Sequence, residues 1–383
     1  MKQLLLLLTL VTLFAEVFSS IALRCLKKYG KRREAFDAIT FLKSEDSRGP
    51  RGKFEHTPYG LYWNSPDYHV NGIRQTDSEG YRSSSPTFLR KNNCDYLILV
   101  LGSSTTYSDH FSLDPETAWP ARLQFMLNKE LNIEELEFRV VNAGLNYATS
   151  AELLCHFIFR ANYLKPDLII LDGPGNDYLP VAFGDQTTDY RNTRYSIYFN
   201  KRRWEPMLLK SYFFQLSYIF SVTSKNLISM EPPGFKLGYG HEQNLRLESN
   251  NAQILRNNIQ MLLHIANGMN IPTVLIDFLR PSKQKMSEYF PQIVSGLSSF
   301  ENRVSDIYKE LASLNPGRVL HIARELFHEV DDIDFHDSSH LTIEGEIKKA
   351  RKILEIIKAS RIIPEKHSER EILDDESPNS SFT

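Results

Sequence analysis

The segment LGSSTTYS at 101–108 contains the serine best placed for nucleophilic chemistry. It follows an apolar run that has the character of a buried strand. A strand that leads through Gly-x-Ser into a helix places the Ser104 hydroxyl at the carboxyl edge of a sheet, beside backbone amides at the helix start. Such turns are common after strands, so this motif alone is only a weak indication of a catalytic serine.

A carboxylate and a histidine stand three positions apart in FHDSSHLTIEG at 335–345. One loop can hold both, so that Asp337 fixes the tautomer of His340 while the histidine takes a proton from a hydroxyl. Thr342 is placed to cap a final helix, with Glu344 in its first turn. The alternative interpretation is a solvated loop with an ordinary helix cap.

Two further segments offer hydrogen-bond donors to a developing oxyanion. Asn176 in GPGNDY (173–178) carries a neutral side-chain amide that donates without titrating. Gly144 in VNAG (141–144) has no side chain to cover its backbone N–H at the end of another strand-like run. Each of these four signals is weak by itself. All of them follow a strand or lie in the final loop, and together they indicate one site.

Five short β-branched or Leu-rich runs would position these segments. They are YLILVLG (96–102), RVVNAG (139–144), LIILDG (168–173), TVLIDF (273–278) and RVLHIA (318–323). Helix-like stretches alternate with them, at 119–131, 153–164, 250–269, 300–314 and 343–357. The alternation predicts an α/β fold in three layers, with a central five-stranded parallel sheet, helices on both faces and right-handed crossovers.

Two regions interrupt this alternation. Residues 36–92 are rich in Gly, Pro, Ser, Tyr and charge, and predict an extended lead-in that packs on the domain. Residues 180–248 follow the end of the third strand, where ligands bind in open α/β sheets, and are a candidate substrate-selecting lid. Within them, LKSYFFQLSYIF (209–220) favours a packed helix over a groove for an acyl chain.

With these four segments the chain resembles the SGNH (GDSL-type) hydrolase family. The family's blocks occur in order as GSS with Ser104, NAG with Gly144, GND with Asn176, and DSSH with Asp337 and His340. The resemblance covers about residues 95–360. Further upstream, TDSEGYRS (76–83) and the leader with Glu16 and Leu-Arg at 23–24 look like N-terminally anchored bacterial members.

The chain departs from the family pattern at two positions. Ser103 stands where the best-known form of the first block, Gly-Asp-Ser, has aspartate, as in members with Gly-Ser-Ser-Thr. Pro174 stands where the third block usually has glycine.

The resemblance implies the flavodoxin-like SGNH hydrolase fold and a serine ester hydrolase. In this mechanism Ser104 attacks an acyl carbonyl, His340 is the general base and Asp337 orients it. The implied oxyanion hole consists of the N–H groups of Ser104 and Gly144 and the Asn176 amide. No metal or other cofactor is implied, and the substrate would be a small-molecule or glycan acyl ester, such as an O-acetylated carbohydrate.

Other polar residues near these segments are weaker candidates. Asp109 and His110 follow the nucleophile and are interpreted as exposed polar residues. The three-residue spacing favours His340 over His336 as the base, and Asp177 is expected to bond neighbouring backbone. In the insertion, Asp189, Tyr190 and Arg194 could touch substrate, but a solvated loop is the favoured interpretation.

The composition excludes several classes of protein. Hydrophobic residues make up 42% of the 383 residues, which is ordinary for a globular protein and excludes a disordered, collagen-like or multi-span chain. The 45 Lys and Arg residues against 47 Asp and Glu residues leave a net charge of −2, so we expect no nucleic-acid partner. Cys25, Cys94 and Cys155 are too few for a disulfide framework and match no zinc spacing.

The N-terminal run LLLLLTLVTLFAEVFSSIAL at 4–23 is barely long enough to span a bilayer. Glu16 interrupts it, and a carboxylate near the middle of a span costs about 2–3 kcal/mol on insertion scales. A cleaved export signal and a retained anchor both remain open. The basic residues that follow the run leave its orientation open, since positive flanks usually stay in the cytoplasm.

The predicted organisation is a signal peptide or anchor at 1–23, a basic and extended lead-in at 24–92, the hydrolase domain at 93–362 and a disordered tail at 363–383. We expect a membrane-anchored or secreted protein whose catalytic domain lies outside the cytoplasm, in a bacterial periplasm or at the cell surface. The alternatives are an O-acyltransferase on a surface glycan, a lipase, lysophospholipase or thioesterase, and a non-catalytic binding protein. The sequence does not predict the oligomeric state.

Overall fold

The computed structural model describes residues 2–28, 53–55, 57, 62–88, 91–92, 95–131, 133, 136–173, 175–190, 208, 210–221 and 240–363. Several sequence predictions therefore lie outside the described residues. They concern Cys94, Pro174, Arg194, most of the lid candidate between 191 and 239, and the tail from 364 onward.

A five-stranded parallel sheet forms the centre of the domain, as the sequence predicts. Its strands are β1 (Asp95–Gly102), β2 (Glu137–Gly144), β3 (Leu168–Asp172), β4 (Thr273–Ile276) and β5 (Val319–Ile322). Their spatial order is β2-β1-β3-β4-β5, the order of flavodoxin-like sheets. The register pairs Gly102 with Gly144 and Leu101 with Leu171, so the strand ends that carry the predicted site meet at one edge.

The described residues contain eleven α-helices. They are α1 (Lys2–Lys28), α2 (Ser104–Tyr107), α3 (Trp119–Leu131), α4 (Ser150–Phe159), α5 (Tyr178–Ala182), α6 (Tyr212–Ser221), α7 (His241–Ser249), α8 (Gln253–Gly268), α9 (Lys283–Tyr289), α10 (Val294–Leu314) and α11 (Ile343–Ser360). Each of the five helical stretches predicted from apolar spacing overlaps one of these helices, and the end of the predicted 153–164 stretch forms a separate 3-10 helix, Ala161–Leu164.

Two hydrophobic layers cover the two faces of the sheet. Successive residues of β1 point to opposite faces, so Leu99 and Leu101 join one layer while Ile98 and Val100 join the other. The first layer contains buried residues of α4, α8 and α10, and the second contains buried residues of α3 and α11. The structure is thus the three-layer α/β sandwich that the sequence predicts.

The described part of the lead-in packs on the β2 edge of the sheet. It forms two short hairpins, Phe54–Glu55 with Trp63–Asn64 and His69–Val70 with Ile73–Arg74. The Trp63 ring is buried and stacks on His156 of α4, with 3.7 Å between ring centroids. The backbone N–H of Arg82 donates to the carbonyl of Asn142 on β2 at 3.0 Å.

Candidate active site

The turn between β1 and α2 places Ser104 at the carboxyl edge of the sheet. Gly102 is required there, because a Cβ atom would lie 1.9 Å from the Thr106 hydroxyl oxygen. That hydroxyl donates to Asp172 at the end of β3, at 2.7 Å. Ser104 is the first residue of α2, so its N–H has no acceptor within the helix and points outward from the helix start.

Ser104, His340 and Asp337 form one continuous chain of hydrogen bonds. The His340 Nε2 atom lies 2.9 Å from the Ser104 Oγ atom, and its Nδ1 atom lies 2.7 Å from Asp337 Oδ2. The serine and the histidine are 236 positions apart in sequence. With the proton on Nδ1, His340 donates to the carboxylate and presents a free electron pair at Nε2 to the serine hydroxyl.

The loop around Asp337 is held by its own carboxylate. Asp337 Oδ1 accepts the backbone N–H groups of Ser339 and His340, each at 2.8 Å. Partial burial acts to raise the pKa of Asp337, but the hydrogen bonds that it accepts from His340 and Ser339, and its electrostatic interaction with His340, outweigh it and hold the pKa well below its usual value. Asp337 is therefore a carboxylate throughout the neutral range.

Neighbouring elements brace the same loop. The backbone N–H of His336 donates to the carbonyl of His340 at 2.7 Å. Arg280, which follows β4, donates to the Ser338 carbonyl at 3.2 Å and also pairs with Glu301 of α10. Thr342 caps α11, as predicted, by accepting the N–H of Gly345 at 3.3 Å.

His110 stacks face to face on the ring of His340. Their ring centroids are 3.4 Å apart and the ring planes differ by 12°. Asp109 lies 3.5 Å from His110 Nδ1 and forms an ion pair of 2.6 Å with Lys53 of the lead-in. Burial, and then the neighbouring His340, lower the pKa of His110 to about 4, so this ring is neutral at neutral pH.

The sequence interpretation of Asp109 and His110 as merely exposed polar residues is therefore incomplete. His110 is partly exposed, but it covers one face of the histidine that contacts Ser104. The only sequence signal for this arrangement is that both residues lie close after the nucleophile segment.

A buried polar network between α11 and the end of β3 holds α2 in place. Lys349 of α11 contacts both carboxylate oxygens of Asp172, at 2.7 and 2.8 Å, and both side chains are almost fully buried. Glu346, one helical turn earlier, accepts the Ser108 hydroxyl at 2.6 Å and the Trp119 N–H at 2.8 Å. The helix that follows the histidine loop is thus tied directly to the turn that carries the serine.

Asn176 and Gly144 differ in their suitability as oxyanion donors. Asn176 lies in a short 3-10 helix, Gly175–Asp177, and uses one side-chain N–H to hold the Ala148 carbonyl at 3.1 Å. An amide has a second N–H, so Asn176 can still donate to a ligand. Gly144 donates its backbone N–H to the side-chain oxygen of Asn142 at 3.0 Å.

The predicted role of Gly144 as an oxyanion donor remains a prediction, and it requires that the Gly144 N–H exchange the Asn142 oxygen for the ligand. Gly144 also serves packing. A Cβ atom at this position would lie 2.3 Å from the backbone nitrogen of Tyr107, so only glycine lets β2 approach α2 this closely. The Asn142 amide completes the link by donating to the Thr106 carbonyl at 2.8 Å.

Tyr147 is a further residue at this edge that the sequence did not indicate. It lies in the loop between β2 and α4 with φ of 66°, in the left-handed region that a residue with a Cβ rarely adopts. Backbone strain of this kind is concentrated at functional sites. Tyrosine has no preference for that conformation, so composition gives no signal for it.

The remaining candidates lie outside the hydrogen-bonded chain. His336 packs edge to face with Phe111, with ring centroids 5.4 Å apart. Asp177 accepts the N–H and hydroxyl of Ser150 at 2.8 and 2.6 Å, which is the structural role expected for it. Tyr190 is buried, contrary to the solvated-loop interpretation, and Asp189 is exposed. The described residues include no cluster of three or more His, Cys, Asp or Glu side chains suited to a metal.

No protein-family model matches the chain, and no curated protein matches its sequence. Solved structures do resemble it. TesA is 17% identical over 69% of this chain and 99% of its own, with a TM-score of 0.41. A GDSL-like lipase from Bacteroides thetaiotaomicron is 13% identical over 72% of this chain and 92% of its own, with a TM-score of 0.39. An acetylxylan esterase from Geobacillus stearothermophilus is 14% identical over 68% of this chain and 94% of its own, with a TM-score of 0.39.

Proposed function

We propose that this chain is a serine ester hydrolase of the SGNH type. The observation that carries the proposal is a continuous series of hydrogen bonds. Ser104 Oγ lies 2.9 Å from His340 Nε2, and His340 Nδ1 lies 2.7 Å from Asp337 Oδ2. A hydroxyl, an imidazole and a carboxylate in this order are the parts that activate a serine for attack on an acyl carbonyl.

The proposed reaction has two halves. Ser104 Oγ attacks the acyl carbon while its proton passes to His340 Nε2, and Asp337 stabilises the imidazolium that forms. The tetrahedral intermediate collapses as His340 protonates the leaving alcohol, which leaves an acyl group on Ser104. Water then gives a proton to His340 and attacks the acyl carbon. The bond from that carbon to Ser104 Oγ breaks as His340 returns the proton to the serine, and the acid is released. Neither half requires a metal or another cofactor.

The proposed oxyanion hole includes the backbone N–H of Ser104 and the second side-chain N–H of Asn176. Both lie at the carboxyl edge of the sheet, one at the start of α2 and one in the segment after β3. A donor of this kind contributes about 3–4 kcal/mol to stabilising the transition state in comparable sites. Gly144 is the third proposed donor, and its N–H would have to exchange the Asn142 oxygen for the oxyanion.

The proposed substrate is a small-molecule or glycan acyl ester, and the proposed location of the domain is outside the cytoplasm. The described residues include one helix, near the N-terminus, that is long and apolar enough to cross a membrane. Labelling of Ser104 by a fluorophosphonate that cannot enter cells tests the location. Labelling that requires permeabilisation of the cytoplasmic membrane, and does not occur when only an outer membrane is opened, would place the domain in the cytoplasm and refute that part.

Hydrolysis of p-nitrophenyl acetate by the purified protein tests the activity. We expect Ser104→Ala to remove the hydrolysis, because no other hydroxyl contacts His340 Nε2 among the described residues. Ser313→Ala, at an exposed position on α10, is the matched control and should leave the rate unchanged. Equal rates for the parent and the Ser104→Ala variant would exclude the proposed nucleophile.

Two further measurements define the substrate class. Comparison of acetyl and lauroyl esters separates an esterase for short acyl groups from a lipase or thioesterase, since a long chain requires an apolar groove. Addition of a sugar acceptor separates hydrolysis from acyl transfer, because only a transferase forms acylated sugar at the expense of free acid.

A further inference from the structure

The apolar helix α1 and the aromatic helix α6 pack against each other. α6 lies within the insertion that follows β3 and is separated from α1 by almost 200 positions. On α1, Ser19 and Leu23 are buried, and on α6, Gln215 and Ile219 are buried. Small residues such as Ser19 allow two helices to approach closely where lipid surrounds them.

Glu16 joins the two helices at the start of α6. One of its carboxylate oxygens accepts the backbone N–H of Tyr212 at 2.7 Å, and the other accepts the hydroxyl of Ser211. The first N–H groups of a helix have no acceptor within it, and its N-terminus carries partial positive charge. The carboxylate that interrupts the apolar run is therefore matched by donors from α6.

Both helices expose large apolar side chains on their remaining surfaces. On α1 these are Leu7, Leu10, Val11, Leu13, Phe14, Val17, Phe18 and Ile21. On α6, Tyr212, Phe213 and Phe214 are each more than 40% exposed, and Lys210 is exposed just before them. Aromatic rings with a neighbouring lysine are typical of the boundary between lipid and water.

We propose that α1 and α6 together form a membrane-contact surface, in which Glu16 seats α6 on α1 and the aromatic residues of α6 enter a phospholipid bilayer. The occupant is lipid rather than a second protein, because the exposed aromatic rings of α6 extend the exposed apolar surface of the helix on which it packs. A carboxylate without hydrogen-bond partners disfavours insertion, and the hydrogen bonds from Ser211 and Tyr212 reduce that cost. The pairing also requires that α1 is retained, since cleavage after the apolar run would remove Glu16.

The test uses the full chain bound to vesicles of phospholipid with brominated acyl chains, which quench tryptophan emission on contact. Phe213→Trp places a probe on α6. Phe125→Trp is the matched control, at a position 63% exposed on α3, which packs on α11 and β2. We expect the emission added by the first probe to fall at least about twofold relative to plain vesicles, as for a ring at the lipid boundary. The control emission should not change.

Unquenched emission from Phe213→Trp in vesicle-bound protein would overturn the proposal. The face would then be covered by residues 191–207 or 222–239 of the same chain, by a second copy, or by water. A mature protein that lacks residues 1–19, detected by intact mass, would overturn it as well.

Two variants in the Phe213→Trp background test whether Glu16 holds α6 on α1. Glu16→Ala removes both acceptors and should abolish the quenching, whereas Glu16→Gln keeps an oxygen for the Tyr212 N–H and should retain it. Equal quenching in both variants would refute the role of Glu16. Unchanged far-ultraviolet circular dichroism verifies folding. The readout does not depend on ester hydrolysis, so this proposal and the proposed function fail separately.

Discussion

Replacement of Asp337 by asparagine is the sharpest test of how the site works. The two oxygens of Asp337 have different partners: Oδ1 accepts the N–H groups of Ser339 and His340, and Oδ2 accepts from His340 Nδ1. In Asp337→Asn the amide oxygen can keep the two backbone N–H groups. The amide nitrogen then faces Nδ1 and donates to it.

This reversal changes the tautomer of His340. An acceptor at Nδ1 requires the proton on Nε2, so the ring donates to the Ser104 hydroxyl instead of accepting its proton. The same substitution in a serine protease triad lowers kcat about 10⁴-fold, which corresponds to roughly 5.5 kcal/mol in the activation free energy. We expect a loss of this order in kcat, with little change in KM.

The assay is steady-state hydrolysis of p-nitrophenyl acetate, alongside urea unfolding. Because the loop keeps its two backbone contacts, the free energy of unfolding should change by less than about 1 kcal/mol. Asp337→Ala is the comparison. It removes the loop contacts as well, so it should destabilise the fold more than Asp337→Asn does. A kcat for Asp337→Asn within about tenfold of the parent would refute this account of the tautomer.

Three further predictions concern the surroundings of the triad. Lys349→Met should lower the free energy of unfolding by about 3–5 kcal/mol, because it leaves the buried Asp172 carboxylate without its ion-pair partner. Lys358→Met, at an exposed ion pair, is the control and should lower it by less than about 1 kcal/mol. Comparable losses for the two variants in urea unfolding would contradict this. Burial raises the pKa of Asp177 to about 7 from 3.8, so between these values the folded state holds a proton that the unfolded state has lost, and the contribution of Asp177 to stability should fall as pH rises from 4 to 7. Asp177→Asn should remove this contribution and make the slope of stability against pH less negative in that range, and an unchanged slope would exclude Asp177 as a contributor. His110→Ala should lower kcat about fivefold through the lost ring stacking on His340, whereas His110→Phe should retain kcat; equal kcat values for both variants would rule out a positioning role for the ring.

The regular elements could be predicted because their signal is local. After Asp95, β1 is an apolar run, and all of its residues are buried, as in a strand with helices on both faces. The spacing of apolar residues in α11, with Thr342 before it as the cap, gives both the start and the buried face of that helix. Alternation of such elements was sufficient for the parallel sheet.

The predicted oxyanion donors show what local sequence patterns do not determine. Gly144 occupies the predicted place at the end of β2, but its N–H is taken by the Asn142 side chain only two positions away. Sequence spacing does not determine the direction in which Asn142 points, because that depends on contact with the Thr106 carbonyl of α2.

The sequence by itself determined the order of strands and helices along the chain, and it identified Ser104, Asp337 and His340 as candidate catalytic residues. Only the tertiary structure decided their partners. The approach of His340 to Ser104, the stacking of His110 on His340, and the capping of α6 by Glu16 each join residues from different elements. Apolar periodicity is a property of the local sequence. A hydrogen bond instead depends on distance and direction within a few tenths of an ångström, which only the packed fold determines.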